Sequence, residues 1–343
     1  MRRLLSALAI VVFFLIIGWL LLVYATGKRL TNGHLVGSGI IQVQVSPSSG
    51  AKVYLDNKYM DTGNTNIENL KAGNHTLKID KEHYHVWQKE ITVVEGKVTP
   101  VATTLFPVNP SLTAVTFDGV FSPKISPDGK KIVFGASTDG KEGLYVLELA
   151  NRQLFFSGGN SQKQIVADTS SLEYSASDFS WSPDSAAVLS EVKNTQTATT
   201  EFFLLDQSQI NSNPQNVTKS IDKLKSDWSA QTTAQNNAKL KNLGQGAVDL
   251  AKDAKSLLFS KDNSAVLIIK NDTSAIVYDT KPNPVPGVKP LITNLPEAKS
   301  YAWFQNGTKH ILSVENNVIN LMDTDGTNKT SIFTGDFDPS GVF

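Results

Sequence analysis

Three hydrophobic patterns succeed one another along the chain. The first is a block: Leu4 to Ala25 reads LLSALAIVVFFLIIGWLLLVYA, with no charge and only Ser6 as an ordinary polar side chain. At ~1.5 Å per residue this makes ~33 Å of helix, enough to cross a ~30 Å hydrocarbon core. The block therefore predicts a transmembrane helix over 4–25. Arg2 and Arg3 stand before it and Lys28 and Arg29 after it, with Trp19 and Tyr24 in the half nearer Lys28, where an aromatic belt is expected. A cleavable signal peptide has a shorter apolar core and a small-x-small exit. The exit Val23-Tyr24-Ala25-Thr26-Gly27 offers no such site, so the segment reads as an uncleaved anchor.

The second pattern has period two and follows a glycine-rich stretch (30–40) read as a flexible linker. Ile41, Val43 and Val45 fall on one face of a strand, which the Ser46-Pro47-Ser48-Ser49-Gly50 run breaks. A strand over 51–55 runs into the tight turn Asp56-Asn57-Lys58, and further strands are predicted at 75–79, 84–89, 90–94 and 98–105. Short strands with Gly, Asn or Asp at each break predict a small antiparallel β-sandwich. Its expected core is Leu55, Leu70, Leu77, Ile79, Tyr84, Trp87, Ile91 and Val93.

The third pattern is a repeat. Ser126-Pro127-Asp128-Gly129 follows an apolar residue and precedes a β-branched run, and Ser182-Pro183-Asp184-Ser185 and Ser260-Lys261-Asp262-Asn263 restate it. A weaker fourth copy is centred on Gln305-Asn306-Gly307. Proline sets i+1 of the turn, and the fourth residue is where positive φ is needed. Each copy is trailed by a further strand ending in a polar or acidic turn, and the pieces at 162–166 and 290–293 supply outer strands. Three or four strands per unit is the pattern of a propeller blade. The interval between the second and third copies holds 222–241, rich in Lys, Ala, Gln and Asn, which reads as a partly helical insertion or long loop. A small or irregular ring is expected, closed by pairing of 112–117 with 330–333; an open array would leave edge strands unprotected.

Two resemblances follow from these residues. Residues 43–103 resemble a PEGA domain through Ser46-Pro47, Gly50-Ala51-Lys52-Val53-Tyr54-Leu55-Asp56, Leu70-Lys71-Ala72-Gly73-Asn74-His75-Thr76-Leu77-Lys78-Ile79, Tyr84-His85-Val86-Trp87 and Val94-Glu95-Gly96. Ser48-Ser49 stand where the name-giving Pro-Glu would be, and Asn66 where that family carries proline. The later repeats, over about 112–334, resemble those of TolB-like propellers, relatives of the WD40 group. The first resemblance implies an envelope-associated accessory domain without chemistry of its own. The second implies a protein- or ligand-binding platform.

The expected fold is mainly β, divided into an anchor with basic flanks (1–29), a linker (30–40), a PEGA-like β-sandwich (41–107) and a TolB-like β-propeller domain (108–343). Composition adjusts this picture at the margins. Thirty-two basic and 32 acidic side chains balance, which argues against nucleic acid as a partner. There is no cysteine, so neither disulfides nor a lipoprotein anchor contribute. A long folded domain beyond a minimal basic head fits a single-pass, N-in/C-out cell-membrane protein with its bulk extracytoplasmic.

Candidate chemistry is sparse. The sequence has no Gly-x-Ser-x-Gly elbow, no His-Glu-x-x-His and no phosphate-binding loop. His75 reads as a half-buried sheet residue satisfying one backbone group. His83 and His85, two apart on a strand, lack a third ligand for a metal. Asp178 and Asp184 read as turn-associated carboxylates. Asp323-Thr324-Asp325-Gly326-Thr327-Asn328 places oxygens around a glycine as calcium loops do, but it lacks the distal Glu and falls where a hairpin must turn. No catalytic, cofactor-binding or metal residue is assigned and no cofactor is expected. The function expected is a non-enzymatic binding or scaffold protein of the envelope. Its partners would be the lipid bilayer through 4–25 and an envelope protein, peptide or glycan. A hydrolase or lyase working in the propeller funnel and a purely structural spacer are the alternatives.

Overall fold

The computed structural model describes residues 10–19, 21, 28–31, 34–110, 119–138, 140–149, 162–281, 290–304 and 310–337. Residues 10–19 form helix α1, whose side chains are exposed except for half-buried Ile17. Among the described residues no helix is long and apolar enough to cross a membrane. Residues 4–9, 20 and 22–25 of the expected span lie outside the described residues.

The first β unit begins in the anchor's expected basic flank and takes in the expected linker, with β1 (Lys28–Thr31) paired to β2 (His34–Ser46). The other strands are β3 (Lys52–Leu55), β4 (Lys58–Thr62), β5 (Thr65–Lys71), β6 (Gly73–Asp80), β7 (Trp87–Val93) and β8 (Val98–Thr104). One sheet has the order β1-β2-β5 with β8 also on β2; the other runs β4-β3-β6-β7. β2 and β8 are parallel, a departure from the wholly antiparallel sandwich expected. The cause is topological: the chain leaves for the second sheet and comes back to β2 by a crossover, not a hairpin. Ile41, Val43, Val53, Leu77, Ile79, Ile91 and Val93 fill the space between the sheets, with Leu70 and Tyr84 partly buried against them. Asp56 and Asn57 both take positive φ (50° and 66°), as the tight β3–β4 turn requires. The two strands expected over 84–94 are one, because Tyr84 makes only an isolated bridge to Pro107.

Four four-stranded antiparallel meanders follow. The first is β9 (Phe121–Ile125), β10 (Lys131–Thr138), β11 (Lys141–Glu148) and β12 (Gln162–Ala167). The second is β13 (Asp178–Trp181), β14 (Ala187–Lys193), β15 (Thr200–Asp206) and β16 (Gln215–Asn216). The third is β17 (Ala254–Phe259), β18 (Ala265–Lys270), β19 (Ala275–Asp279) and β20 (Leu291–Asn294). The fourth is β21 (Ser300–Phe304), β22 (His310–Glu315), β23 (Val318–Asp323) and β24 (Thr330–Thr334). Each is a blade-like sheet in chain order, and none closes into a barrel. Thr330–Thr334 is therefore the last meander's own fourth strand, paired to β23. The expected closing partner, 112–117, lies outside the described residues.

One turn is built three times with the same bonds. Ser126 Oγ donates to Asp128 Oδ1 (2.6 Å) and accepts from Lys131 N (3.0 Å), while Asp128 Oδ1 also accepts from Lys130 N (3.1 Å). Ser182 with Asp184, Ala186 and Ala187, and Ser260 with Asp262, Ser264 and Ala265, repeat the arrangement. Gly129, Ser185 and Asn263 hold positive φ at the fourth position (68°, 63° and 53°). The fourth copy, 305–309, lies outside the described residues.

The insertion is helical: α2 (Ile221–Leu243), then α3 (Gln245–Leu250) after Gly244, whose φ of 107° ends the long helix. On α2 only Leu240 and Leu243 are buried and Ile221, Leu224 and Trp228 half-buried, because polar residues and Ala fill most of the remaining positions. Leu240, Leu243 and Ala247 cover one face of the third meander, on Val266, Ile268 and Tyr278. That meander's other face packs on the fourth through Leu267, Val277, Tyr301, Trp303, Ile311 and Met322. The first and second meanders share a separate core that includes Val133, Leu144, Phe179, Trp181 and Leu205.

Candidate functional site at the domain junction

A polar cluster joins the two domains where the first β unit meets the last meander. Trp87 opens β7 with its ring in the sandwich core, and its indole Nε1 donates to Asp323 Oδ2 (3.1 Å) at the end of β23. Two residues along the same strand, Lys89 reaches Asp323 (3.3 Å) and Asp325 (2.8 Å). Between them the backbone N–H of Gln88 donates to Asn328 Oδ1 (3.0 Å). Asp323 is further bonded by Asn328 Nδ2 (3.0 Å) and faces His310 Nε2 (3.2 Å), which lies opposite it on β22. Phe106 packs edge-on against Phe304 and His310, with ring centroids 5.3 and 5.1 Å apart.

The electrostatics agree with the geometry. Burial pushes the Asp323 carboxyl up, but the bonds from His310 and Asn328 and the charge of Lys89 outweigh it and hold the group down at about 2. Burial likewise pulls the Lys89 ammonium down, and the two carboxylates more than offset this, leaving it raised. Both partners are thus held in their charged forms. The turn Asp323–Asn328 serves as the hairpin expected of it. Asp323 N bonds Thr327 O, and Asp325 Oδ1 accepts from Thr327 N (3.2 Å) and Thr327 Oγ1 (2.6 Å). The carboxylates that resembled calcium ligands face Lys89 instead.

The other residues weighed from sequence fall elsewhere. His75 bonds through both ring nitrogens, Nδ1 to Asp56 Oδ2 (2.7 Å) and Nε2 to Lys71 O (2.8 Å), one partner more than expected. Burial lowers its pKa, yet Asp56 and the Lys71 carbonyl together leave it raised. His83 is in a turn at φ 66° and exposed, so it does not share a strand face with His85. Asp178 begins β13 and Asp184 lies in the turn beyond its other end, so the two do not converge. No group of three or more potential metal ligands occurs among the described residues. A shallow cavity of about 460 Å³ opens where β15 and β16 meet the start of α2, lined by Glu201, Asn216, Thr218, Lys219 and Ser220. Both oxygens of Glu201 are occupied there, by Asn194 and Asn216.

Sequence reasoning placed Trp87 in the core but not its bond to Asp323, and it did not single out Lys89. The two ends of this cluster lie more than two hundred residues apart. The only local signal was a lysine between core positions of β7.

Among known protein families, one matches the first β unit. Residues 38–109 match the PEGA domain family, and that segment is a PEGA domain. Solved structures to which the chain is similar include TolB proteins and other β-propellers. A protein from Agrobacterium tumefaciens described as a TolB is 16% identical, with 64% of this chain and 82% of that one covered and a TM-score of 0.24. TolB from Acinetobacter baumannii is 15% identical, over 88% of this chain and 65% of that one, with a TM-score of 0.22. The β-propeller domain of the Trilobed protease from Pyrococcus furiosus, described as having an open velcro topology, is 12% identical, over 86% and 72%, with a TM-score of 0.21. No curated protein matches the chain.

Proposed function

We propose that the chain is a membrane-anchored, extracytoplasmic, non-enzymatic binding and scaffold protein of the cell envelope. The apolar segment 4–25 is its single-pass, N-in/C-out anchor, the PEGA domain is its membrane-proximal spacer, and the four meanders are its platform for an envelope protein, peptide or glycan. The observation that carries this reading is the use made of polar side chains: in the meanders they build the repeated turns and the links between sheets. Such a frame holds loops in fixed positions for recognition. Propeller folds serve many activities, so the binding role rests on this arrangement.

The test is made on the full chain in its own membrane, with photo-crosslinking residues at exposed Ile210 and Lys219 beside the 460 Å³ cavity and at Glu95 on the PEGA domain. Protease added to intact spheroplasts should digest a C-terminal tag, alkaline extraction should leave the chain in the membrane, and discrete crosslinks should form from the meander positions. A tag that stays protected removes the assigned location, extraction into the soluble fraction removes the anchor, and crosslinks confined to Glu95 remove the platform.

A further inference from the structure

The order of contacts in space differs from the order of the chain. The PEGA domain leads directly into the first meander, yet it docks on the fourth through β7 and Phe106. The four meanders are therefore held within a loop of chain whose two ends are tied at Asp323. In a velcro-closed ring the last blade receives a strand from the start of the domain; here, among the described residues, its four strands are all its own. What it receives is a neighbouring domain.

The character of the interface sets how that contact behaves. Its centre is charged: Asp323 is faced by Lys89 and Trp87 from β7, by His310 from β22 and by Asn328 from its own turn, while Lys89 is faced by Asp323 and Asp325. Its described ring contacts are those of Phe106 with Phe304 and His310. A desolvated ion pair gains little over its separated, hydrated state, so such a junction is reversible where an apolar one would be permanent. The polar groups nevertheless act as one unit, because the Lys89 ammonium and the Trp87 indole N–H share an acceptor atom, Asp323 Oδ2.

We infer that the PEGA domain is the closing element of the meander array, held by a latch centred on Asp323 that has a closed state and an open state. In the open state Gln88 loses its cap on the outer edge of β7, and the aromatic side chains of Phe106 and Phe304 part. The latch ties the position of the spacer to that of the platform.

The amide of Gln88 reports the latch directly, since its hydrogen bond goes to Asn328 on the other unit. Hydrogen exchange on the full chain is measured for wild type, Lys89→Gln, Asp323→Asn and the double variant, with β6 amides as the internal control. Lys89→Gln removes the charge but keeps an unbranched-stem polar side chain, and lies outside the last hairpin, so it serves even if Asp323→Asn disturbs that hairpin. The inference expects exchange at Gln88 to accelerate at least about tenfold in each single variant while β6 is unchanged, and the double variant to exceed the more severe single by less than about threefold. Wild-type exchange at Gln88 in Lys89→Gln overturns it. So does a double variant in which the two effects multiply, or acceleration that spreads equally to β6.

Discussion

Ser260 shows how much one small side chain carries in this fold. It is buried, donates to Asp262 and accepts the backbone N–H of Ala265, the first residue of β18. Removing the hydroxyl strands a buried N–H, so Ser260→Ala should cost about 1–3 kcal/mol, read from denaturant midpoints. Ser185 adds a second role at its turn: its Oγ accepts Asp128 N (3.1 Å), tying the second turn to the first. That contact gives a serine its place at a left-handed position where glycine is otherwise easier. His75 carries a pH dependence. With a carboxylate on one nitrogen and a carbonyl on the other, both positions call for a donor, which is the charged ring. Its folded pKa is raised, so its contribution is complete below the unfolded value near 6.5 and is lost as pH rises through the folded one. The PEGA domain should therefore lose stability above pH ~6.5, and His75→Phe should remove that slope in pH-dependent melting.

At the scale of elements, two tryptophans stand at the same register of the second and fourth meanders. Trp181 pairs with Val188 and Trp303 with Ile311, each one residue into the second strand. Each sends its indole N–H to the carbonyl of a first-strand residue of the preceding meander, Trp181 to Lys124 (2.9 Å) and Trp303 to Leu258 (2.7 Å). Lys124 answers by donating to Phe179 O (2.7 Å). Trp181→Phe and Trp303→Phe should each cost about 1–2 kcal/mol through the lost hydrogen bond and some packing. Their effects should add to within ~0.5 kcal/mol, because the two lie in separate cores. Chemical denaturation of the single and double variants checks this. Phe259 holds the same register in the third meander, where a ring without N–H meets Lys239 of α2 (5.0 Å). The helix touches the second meander too, where Lys225 lies over Phe202 (4.7 Å) and faces Glu191 (3.8 Å). The insertion thus stands between the two pairs of meanders.

For the whole molecule the junction dominates. Breaking a fully buried ion pair costs about 3–5 kcal/mol. Lys89 keeps 28% of its side chain exposed, so Lys89→Met should cost less, about 1–3 kcal/mol, in unfolding of the full chain. The carboxyl of Asp323 is depressed, so its contribution is present above the unfolded value near 3.9 and is lost as pH falls through about 2. Small-angle scattering should show the two units together down to pH ~4 and separating only between there and pH ~2. Separation already at neutral pH would contradict the geometry.

Much of this protein is written locally. Period-two alternation marked β2, β3, β6 and β8, because a strand with one buried face must alternate whatever lies opposite. The Ser-x-Asp turns were legible because their bonds close within six residues. β4 was missed: all five of its residues are exposed, and its apolar Tyr59 and Met60 are adjacent, so it carries no period-two alternation. The apolar block 4–25 states its own hydrophobicity, though its ends lie outside the described residues. Only the tertiary structure decided three things: the parallel return of β8, the packing of α2 against the second and third meanders, and the meeting of Lys89 with Asp323. Each depends on partners far apart in the chain. A charged side chain reads the same in sequence whether its neighbour is water or a buried carboxylate from another domain.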